Sequence, residues 1–485
     1  MITKDALIEE LSQRLEESEK EYDLSAINHA ITFAILWHDG QFRSSGEEYV
    51  CHPLSVAIIL AEIGMDTPTI EAAILHDAVE DTEATLKDLL REFGREVTDL
   101  VDGVTKIDKL NFGTYEEQQA ENIRKMLIAL GKDARVIIIK LADRLHNLRT
   151  IDALPSEKRL RIAKETMDVY APIAHRIGMQ TIKDELEDLS LRTLDPIAYQ
   201  EIEDYFFEHS GERKIFLDSV QDNITNALHE YGMHPTVSGR VKSITSTYRK
   251  TFVQGKALDE VYDVFAVRII VDTVNDCYNA LGIVHELFRP IPGRFKDYIS
   301  TPKPNMYQSL HTTVISSKSV PFEVQIRTWD MHYTAEYGIA AHWKYKAGVS
   351  GKDKLDERLK WVRQFIENQE DGTPDEIIQT IKTDLSPDEA FVFTPKGDVI
   401  NLPTGSTVID FAYAIHSAVG NRMIGAKVDG RIVPLDYAVH TGEIIEIITT
   451  SQENHGPSRD WLNVVKTSEA RSKIRTWFKK ECREE

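Results

Sequence analysis

Apolar residues recur at helical spacing through residues 1 to about 195, as in Ile27, Ala30, Ile31 and Ala34, and proline is sparse there. The pattern predicts an all-helical domain over 1–195. One helix start is signalled by Asp66-Thr67-Pro68 ahead of TIEAAILHDAVE, a polar cap with proline suited to the first turn. Residues 196–235 continue as a helical connector. Near His234 the pattern changes, and strand-like runs alternate with helical ones. VYDVFAVRIIVD predicts a strand, NDCYNALGIVHELF a helix starting from Asp272 or Thr273, and HTTVIS and PFEVQIRT further strands. Residues 236–345 are therefore expected to form an α/β or α+β domain with a core sheet. Residues 346–387 are charged and helical in pattern, ending in the hinge signals TPD and LSPDE. Over 388–450, the short runs AFVFTP, DVINLP, GAKVDGRIV and EIIEIIT surround one helix, STVIDFAYAIHSAVG, and predict a small separate β-rich module. Residues 451–485 close on an amphipathic, basic helix. Such a helix needs a partner for its apolar face, so the segment is expected to begin a further C-terminal helical domain.

Bulk properties narrow this picture. At roughly 150 residues per domain, a chain of 485 residues predicts about three domains. Its apolar runs, such as VIIIKLA, are far shorter than the ~18 residues a membrane span needs, and the N-terminus has no apolar core of a secretory signal. The three cysteines, Cys51, Cys277 and Cys482, are widely separated, which argues against a zinc ribbon or disulfide framework and fits a reducing cytoplasm. A net charge of -22 disfavours broad nucleic-acid binding. Polyphosphate substrates remain open to such a chain, because a few local cations and metal ions suffice to hold them.

Two constellations carry chemistry. In the helical domain, His52, His76-Asp77 and Asp143 offer imidazole and carboxylate together, a ligand set suited to a divalent transition metal. Such an ion polarises phosphate and supplies hydroxide at neutral pH. On a continuous helix Glu80 would follow His76 by one turn and Asp81 would stack on Asp77, while Asp143 and Asn147 share a face of a later helix. The same residues also fit core or surface histidines and a capped loop, and spacing alone leaves both readings open.

The sheet domain concentrates cations and polar aromatics. GRVKSITSTYRK supplies Arg240, Lys242, Arg249 and Lys250; PGRFKDYISTPKPNMYQSLHTT supplies Arg294, Lys296, Lys303, Asn305, Tyr307, Gln308 and His311. In FEVQIRT, strand alternation sets Phe322, Val324 and Ile326 on one face and Glu323, Gln325 and Arg327 on the other. That second face fits a catalytic wall, with a carboxylate for Mg²⁺, cations for a triphosphate and flat groups for bases. It also fits an exposed sheet face. The absence of a Walker A motif disfavours generic P-loop chemistry.

The stretches RSSGEEYVCHP, ILHDAVEDT, LVDGVTK and KLADRLHNLRT resemble the hydrolase domain of the RelA/SpoT family, within the HD metal-dependent phosphohydrolases. The resemblance implies Mn²⁺ held by His52, His76, Asp77 and Asp143, water activation by Glu80 and Asp81, nucleotide contacts from Asn147 and Thr150, and Arg43 near the guanine. Ser44 stands where the family usually has Lys, a departure that touches the guanine pocket. YDVFAVRIIVD, HELFRPIPGRFKDYISTPKPNMYQSLHTTV, EVQIRT and AEYGIAAHWKYK resemble the synthetase domain of the same family, a nucleotidyltransferase-like fold with a mixed sheet. This implies transfer of the ATP β,γ-pyrophosphoryl group to the 3′-OH of GDP or GTP. Asp263 would bind Mg²⁺, with Glu323 as base or second metal ligand. Arg240 and Arg268 would sandwich adenine, and Lys242, Ser246 and Lys250 would hold ATP phosphates. Tyr307 would stack on guanine with Lys303, Asn305 and His311 near the acceptor, and Arg294, Lys296 and Gln325 would complete the nucleotide contacts. RFKD matches the basic loop of bifunctional members, which agrees with the intact hydrolase set. Ser243 and Thr245 replace the family's usual His and Tyr.

Residues 388–449 resemble the TGS domain, a β-grasp module that contacts uncharged tRNA in this family. His416 is then either a tRNA contact or a helix histidine packed on the sheet. The expectation is a cytoplasmic, bifunctional enzyme that makes and destroys ppGpp and pppGpp, engages tRNA and the ribosome in its full-length form and has no membrane partner. A hydrolase with a silent synthetase, and a tRNA- or ribosome-binding regulator with vestigial catalysis, are the competing expectations.

Overall fold

The computed structural model describes residues 3–18, 20–108, 115–258, 265–303, 305–317, 319–344, 362, 389–452 and 455–484. Asp263 and nearly all of the expected 346–387 linker lie outside the described residues. The chain divides into two compact units, Met1–Thr105 with Asp133–Arg358, and Lys106–Lys132 with Leu359–Glu485. Among the described residues, no helix is long and apolar enough to cross a membrane.

The first unit begins with helices and continues into a mixed sheet. Its helices start where short polar side chains satisfy free backbone N–H groups. Thr3, Asp23, Asp66 and Asp133 each accept from the first turn that follows, and Pro68 stands in the opening turn after Asp66 as its position predicts. The Ala134–Arg149 helix is buried on nearly all sides, which explains the unbroken VIIIKLA run. The Cys51–Glu62 and Gln180–Leu194 helices pack on it. Cys51 and Cys277 are buried core thiols, as expected of isolated cysteines.

The sheet has strand order β1-β2-β6-β5-β3, with β4 beside β5. Its strands are β1 (Thr236–Val241), β2 (Phe265–Val271), β3 (Arg289–Pro290), β4 (Lys296–Asp297), β5 (Leu310–Ile315) and β6 (Pro321–Thr328). The β2–β6 pair is parallel and the rest are antiparallel, so the sheet is mixed. Alternation then sorts the residues. Val267, Ile269, Phe322, Val324, Ile326 and Val314 form a core with Leu217, Val220 and Ile224 of the Ser210–Glu230 helix, and with Cys277, Ala280 and Val284 of the Val274–Leu287 helix. Of the two start positions read for the latter helix, Thr273 is the cap, in a reciprocal box with Asp276. The opposite face carries the polar set, and register aligns Arg268, Gln325, His311 and Lys296 in one row across β2, β6, β5 and β4.

The Trp329–Tyr337 helix crosses beside this face and contributes Glu336. Arg327 is fully buried, and its guanidinium bonds Glu336 Oε1 at 2.8 Å; Arg268 meets the same oxygen at 2.9 Å. Burial, then repulsion from Arg327, lowers the Arg268 pKa to about 10. One carboxylate is thus shared by two enclosed cations. Glu336→Ala should cost about 3–5 kcal/mol, because it strands buried charge. Urea unfolding followed by circular dichroism measures this; a midpoint unchanged from wild type would contradict the pairing.

Gly338 ends that helix at φ +54°, and an added Cβ would meet Ile177 O at 2.1 Å. Its neighbour Ile339 donates to the same carbonyl at 3.0 Å. The helical part and the sheet meet here backbone to backbone, a separation that only glycine permits.

In the second unit, Glu389–Phe393 and Val399–Pro403 pair antiparallel, and Met423–Val428 is flanked by Arg431–Val433 and Ile445–Thr449. The Val408–Ile415 helix fills the space over them with Val408, Ile409, Phe411 and Ala412. The apolar face of the Ser468–Glu484 helix, expected to need a partner, finds one within the described residues. It packs on this module, burying Ala470 and Ile474 in the same core, and Lys473 Nζ bonds Tyr413 O at 2.9 Å.

Candidate functional site

Four helical segments of the first unit converge on the imidazole–carboxylate cluster. One of its carboxylates, Asp77, is placed differently from what periodicity predicts. The helix carrying TIEAAIL ends at Leu75; His76 and Asp77 form a turn, and a new short helix runs Ala78–Asp81. The break matters because a straight helix would carry Asp77 round to another face. Here both oxygens of Asp77 reach the cluster, Oδ1 at 3.1 Å from His76 Nε2 and Oδ2 at 3.6 Å from His52 Nε2. Asp143 Oδ1 lies 3.1 Å from His52 Nε2 and 4.0 Å from His76 Nε2. Single ligand atoms of His52, His76 and Asp143 all fall within 4.8 Å of one another.

These residues fit a divalent ion. His76 donates Nδ1–H to Ala73 O at 2.7 Å, which leaves the Nε2 lone pair aimed inward, and Nε2 is a buried atom with no hydrogen-bond partner. Two neutral imidazoles with oxygen ligands suit a transition metal better than Ca²⁺ or Mg²⁺. Electrostatics keeps the oxygens ionised. Burial opposes ionisation of Asp143, but Lys140 at 2.7 Å and the two histidines outweigh it and hold its pKa well below the usual range. Asp77 is likewise lowered, with His76 and His52 overcoming burial. Burial lowers the His52 pKa; at His76 burial is outweighed by Asp77 and Asp143 and the pKa is raised.

The remaining residues expected from the sequence gather beside the cluster. Arg43 donates to Asn147 Oδ1 at 2.6 Å and to Thr150 Oγ1 at 3.4 Å, and Asn147 donates to Asp143 Oδ1 at 2.6 Å. Glu80 and Asp81 are exposed. Asp81 is tied back by the Tyr49 hydroxyl, which also donates to Asp77 Oδ2 at 3.0 Å. Ser44 is exposed beside Arg43. Sequence reasoning missed Tyr49, Lys140 and His146. Each stands three residues from a named ligand, at His52, Asp143 and Asp143 respectively, a spacing that could have flagged them.

The second cluster is built on the polar sheet face. Gln325 and Arg327 are buried, so this is no exposed sheet face. Glu323 receives Gln325 Nε2–H at 2.6 Å, with Lys242 Nζ at 3.6 Å and His311 Nδ1 at 3.5 Å. Its oxygens are hard donors of the kind Mg²⁺ takes one or two at a time beside substrate phosphates. The Tyr307 hydroxyl pairs with His311 Nε2 at 2.7 Å, and burial lowers the His311 pKa to about 4 while raising that of Tyr307. Lys303 lies over the Tyr298 and Tyr307 rings at 4.9 and 5.7 Å, and Asn305 bonds His175 O at 3.3 Å. Ser246 lies in the short Ile244–Tyr248 helix capped by Ser243, and Lys242 and Lys250 flank it. Arg294 and Lys296 are exposed at the turn into β4 and on it.

The two unusual residues of this loop have structural partners. Ser243 caps the helix, and Thr245 donates through N and Oγ1 to Asp188 Oδ1 at 2.8 and 2.7 Å. Asp188 lies on the Gln180–Leu194 helix, whose Asp184 meets Arg240 at 3.3 Å and whose Glu187 meets Arg249 at 2.8 Å. Sequence reasoning did not find this acidic edge. In the second unit, His416 is neither helical nor packed on the sheet. It is exposed between two short helices, and its Nδ1 accepts from Ala418 N at 3.1 Å.

A helical imidazole–carboxylate centre, a mixed sheet with a basic polar face and a small β-rich module mark this as a multidomain protein. Residues 30–180 match the HD domain, 239–350 the region found in RelA / SpoT proteins, and 390–449 the TGS domain. A GTP pyrophosphokinase of Streptomyces coelicolor is 52% identical over 95% of this chain and 56% of its own length. A guanosine-3′,5′-bis(diphosphate) 3′-pyrophosphohydrolase of Aquifex aeolicus is 48% identical over 94% and 65%, and a bifunctional (p)ppGpp synthase/hydrolase of Mycobacterium tuberculosis 48% over 96% and 64%. Over these regions the chain is similar to RelA/SpoT proteins. It spans between 56% and 65% of the lengths of these three relatives.

Proposed function

We propose that the chain is a bifunctional enzyme: one site hydrolyses ppGpp or pppGpp to GDP or GTP plus pyrophosphate, and the other forms them from ATP and GDP or GTP, releasing AMP. The observation that carries this is the coexistence, in one chain, of an imidazole–carboxylate cluster of His52, His76, Asp77 and Asp143 and a separate sheet face lined by cations and a carboxylate.

At the first site His52, His76, Asp77 and Asp143 would hold Mn²⁺. Such an ion would supply Lewis-acid polarisation of the 3′-diphosphate and an activated water at neutral pH. Lys140 and Tyr49 fix the carboxylates, exposed Glu80 and Asp81 handle the proton, and Arg43, Asn147 and Thr150 grip the nucleotide. At the second site Glu323, together with Asp263 as the family resemblance implies, would hold Mg²⁺, whose charge would offset that of the transferring phosphates. Glu323 orients or deprotonates the acceptor 3′-OH. Tyr307 stacks on guanine beside Lys303, Asn305 and a neutral His311. Arg240 and Arg268 hold adenine, while Lys242, Ser246, Lys250 and Gln325, with Arg294 and Lys296, hold phosphates. Exposed His416 is the contact for uncharged tRNA in ribosome-associated regulation.

The test is direct. With Mn²⁺ and ppGpp the protein yields GDP and pyrophosphate; with Mg²⁺, ATP and GDP it yields AMP and ppGpp. Neither product, with retained tRNA binding, would favour a regulator without catalysis.

Asp184 and Glu336 occupy the guanidiniums that adenine needs, and Asp184 lies on a helix packed against the metal-bearing one. The two sites should therefore be coupled, reciprocally in binding. Asp184→Asn should tighten ATP binding about two- to fivefold, the worth of a half-exposed ion pair. Nucleotide confined to the hydrolase site should shift ATP affinity in wild type. ATP affinity unchanged on both counts contradicts the coupling.

A further inference from the structure

His146 lies behind the metal cluster, on the Ala134–Arg149 helix, one turn beyond Asp143. It is buried, and its Nδ1 sits 2.7 Å from His52 Nδ1. The same nitrogen is 3.3 Å from Arg43 NH1. Only one of two facing ring nitrogens can carry the proton between them, and Arg43 decides which. A guanidinium is all donor. The His146 nitrogen that it faces must therefore be a lone pair, and the proton between the rings belongs to His52 Nδ1. His52 Nε2, 3.1 Å from Asp143 Oδ1 and facing His76, is then the ring nitrogen whose lone pair is available to an ion.

We infer that His146 is a positioning residue: as acceptor of the His52 Nδ1–H bond, under the direction of Arg43, it fixes the tautomer and ring angle in which His52 offers Nε2 to the metal. This rests on the metal-site reading above. It gives Arg43 a second role. The side chain assigned to the nucleotide also sets, through one ring, the protonation of a metal ligand. His76 achieves the same end with a backbone carbonyl, Ala73 O. The two imidazoles are therefore held by different devices, and only the one at His52 is open to mutation of a side chain. Partners of this kind are worth on the order of 10- to 100-fold in metal affinity.

The probe is Mn²⁺ alone, titrated calorimetrically into the whole chain. His146→Leu removes the acceptor and should weaken Mn²⁺ binding about 10- to 100-fold. His146→Asn places an amide oxygen where Nδ1 stood and should restore affinity to within about threefold of wild type. Equal affinity of His146→Leu and wild type overturns the inference. So does equal weakness of both variants, which would make the effect one of packing. Should His146→Leu fail to fold, histidine ¹⁵N spectra of the Zn²⁺-loaded wild type decide: His146 protonated on Nε2 supports the inference, and on Nδ1 overturns it. Because no nucleotide is present, these results stand apart from the hydrolase assignment. Mn²⁺ binding that depends on His146 in a protein that leaves ppGpp intact would sink the proposed activity and keep this inference.

Discussion

Asp77→Ala is expected to slow ppGpp hydrolysis by at least about 10³-fold, roughly 4 kcal/mol of barrier, while leaving ppGpp synthesis within about twofold of wild type. Asp77 is the one residue of the cluster whose two oxygens face two different histidines, at 3.1 and 3.6 Å. Alanine removes one metal ligand and also the acceptor of the Tyr49 hydroxyl that links Asp77 to Asp81. The substitution should be tolerated by the fold. Asp77 sits in a turn and is less enclosed than Asp143, where alanine would strand Lys140 with a buried charge. Pyrophosphate release with Mn²⁺ and ppGpp reads the effect. A loss below tenfold would remove Asp77 from the ligand set.

Glu323→Gln should produce the converse, a fall of about 10²–10⁴-fold in synthesis, the range for a group handling a proton in the transition state. The amide keeps the shape and can still meet Gln325 and Lys242, so packing on β6 is unchanged and the loss reports charge. His311 gives an internal check. Glu323 favours its charged form, while burial holds its pKa near 4. Without the carboxylate that pKa falls further, so His311 stays neutral at pH 7 and its pairing with Tyr307 survives. A synthesis rate within tenfold of wild type would make Glu323 a bystander.

Much of this was legible in the residues, for identifiable reasons. The switch from helical to strand period near His234 is real, and the two-residue period of FEVQIRT correctly separates Glu323, Gln325 and Arg327 from the core. The cap at Asp66 and proline at 68 mark a helix start because they act locally. What local pattern hides is anything decided by distant neighbours. Periodicity extends one helix through His76 and Asp77, yet the chain breaks there and thereby aims both Asp77 oxygens at the histidines. Arg327 reads as surface, but Glu336, nine residues on, makes a buried guanidinium tenable. Ser243 and Thr245 look like losses from a nucleotide loop; one caps a helix and the other binds Asp188, fifty-seven residues earlier. The terminal helix reads as lacking a partner because its partner, Val408–Ile415, lies far back in the chain. His146 was passed over for the same reason. Its importance comes from His52 and Arg43, which only the fold brings to it.

The central claim is that two chemically separate sites reside in one chain. The most direct measurement crosses the two variants with the two assays, using labelled ppGpp with Mn²⁺ for breakdown and labelled ATP with GDP and Mg²⁺ for synthesis. The account predicts that Asp77→Ala retains synthesis and loses breakdown, and that Glu323→Gln retains breakdown and loses synthesis. Either variant losing both activities, or neither, would contradict it.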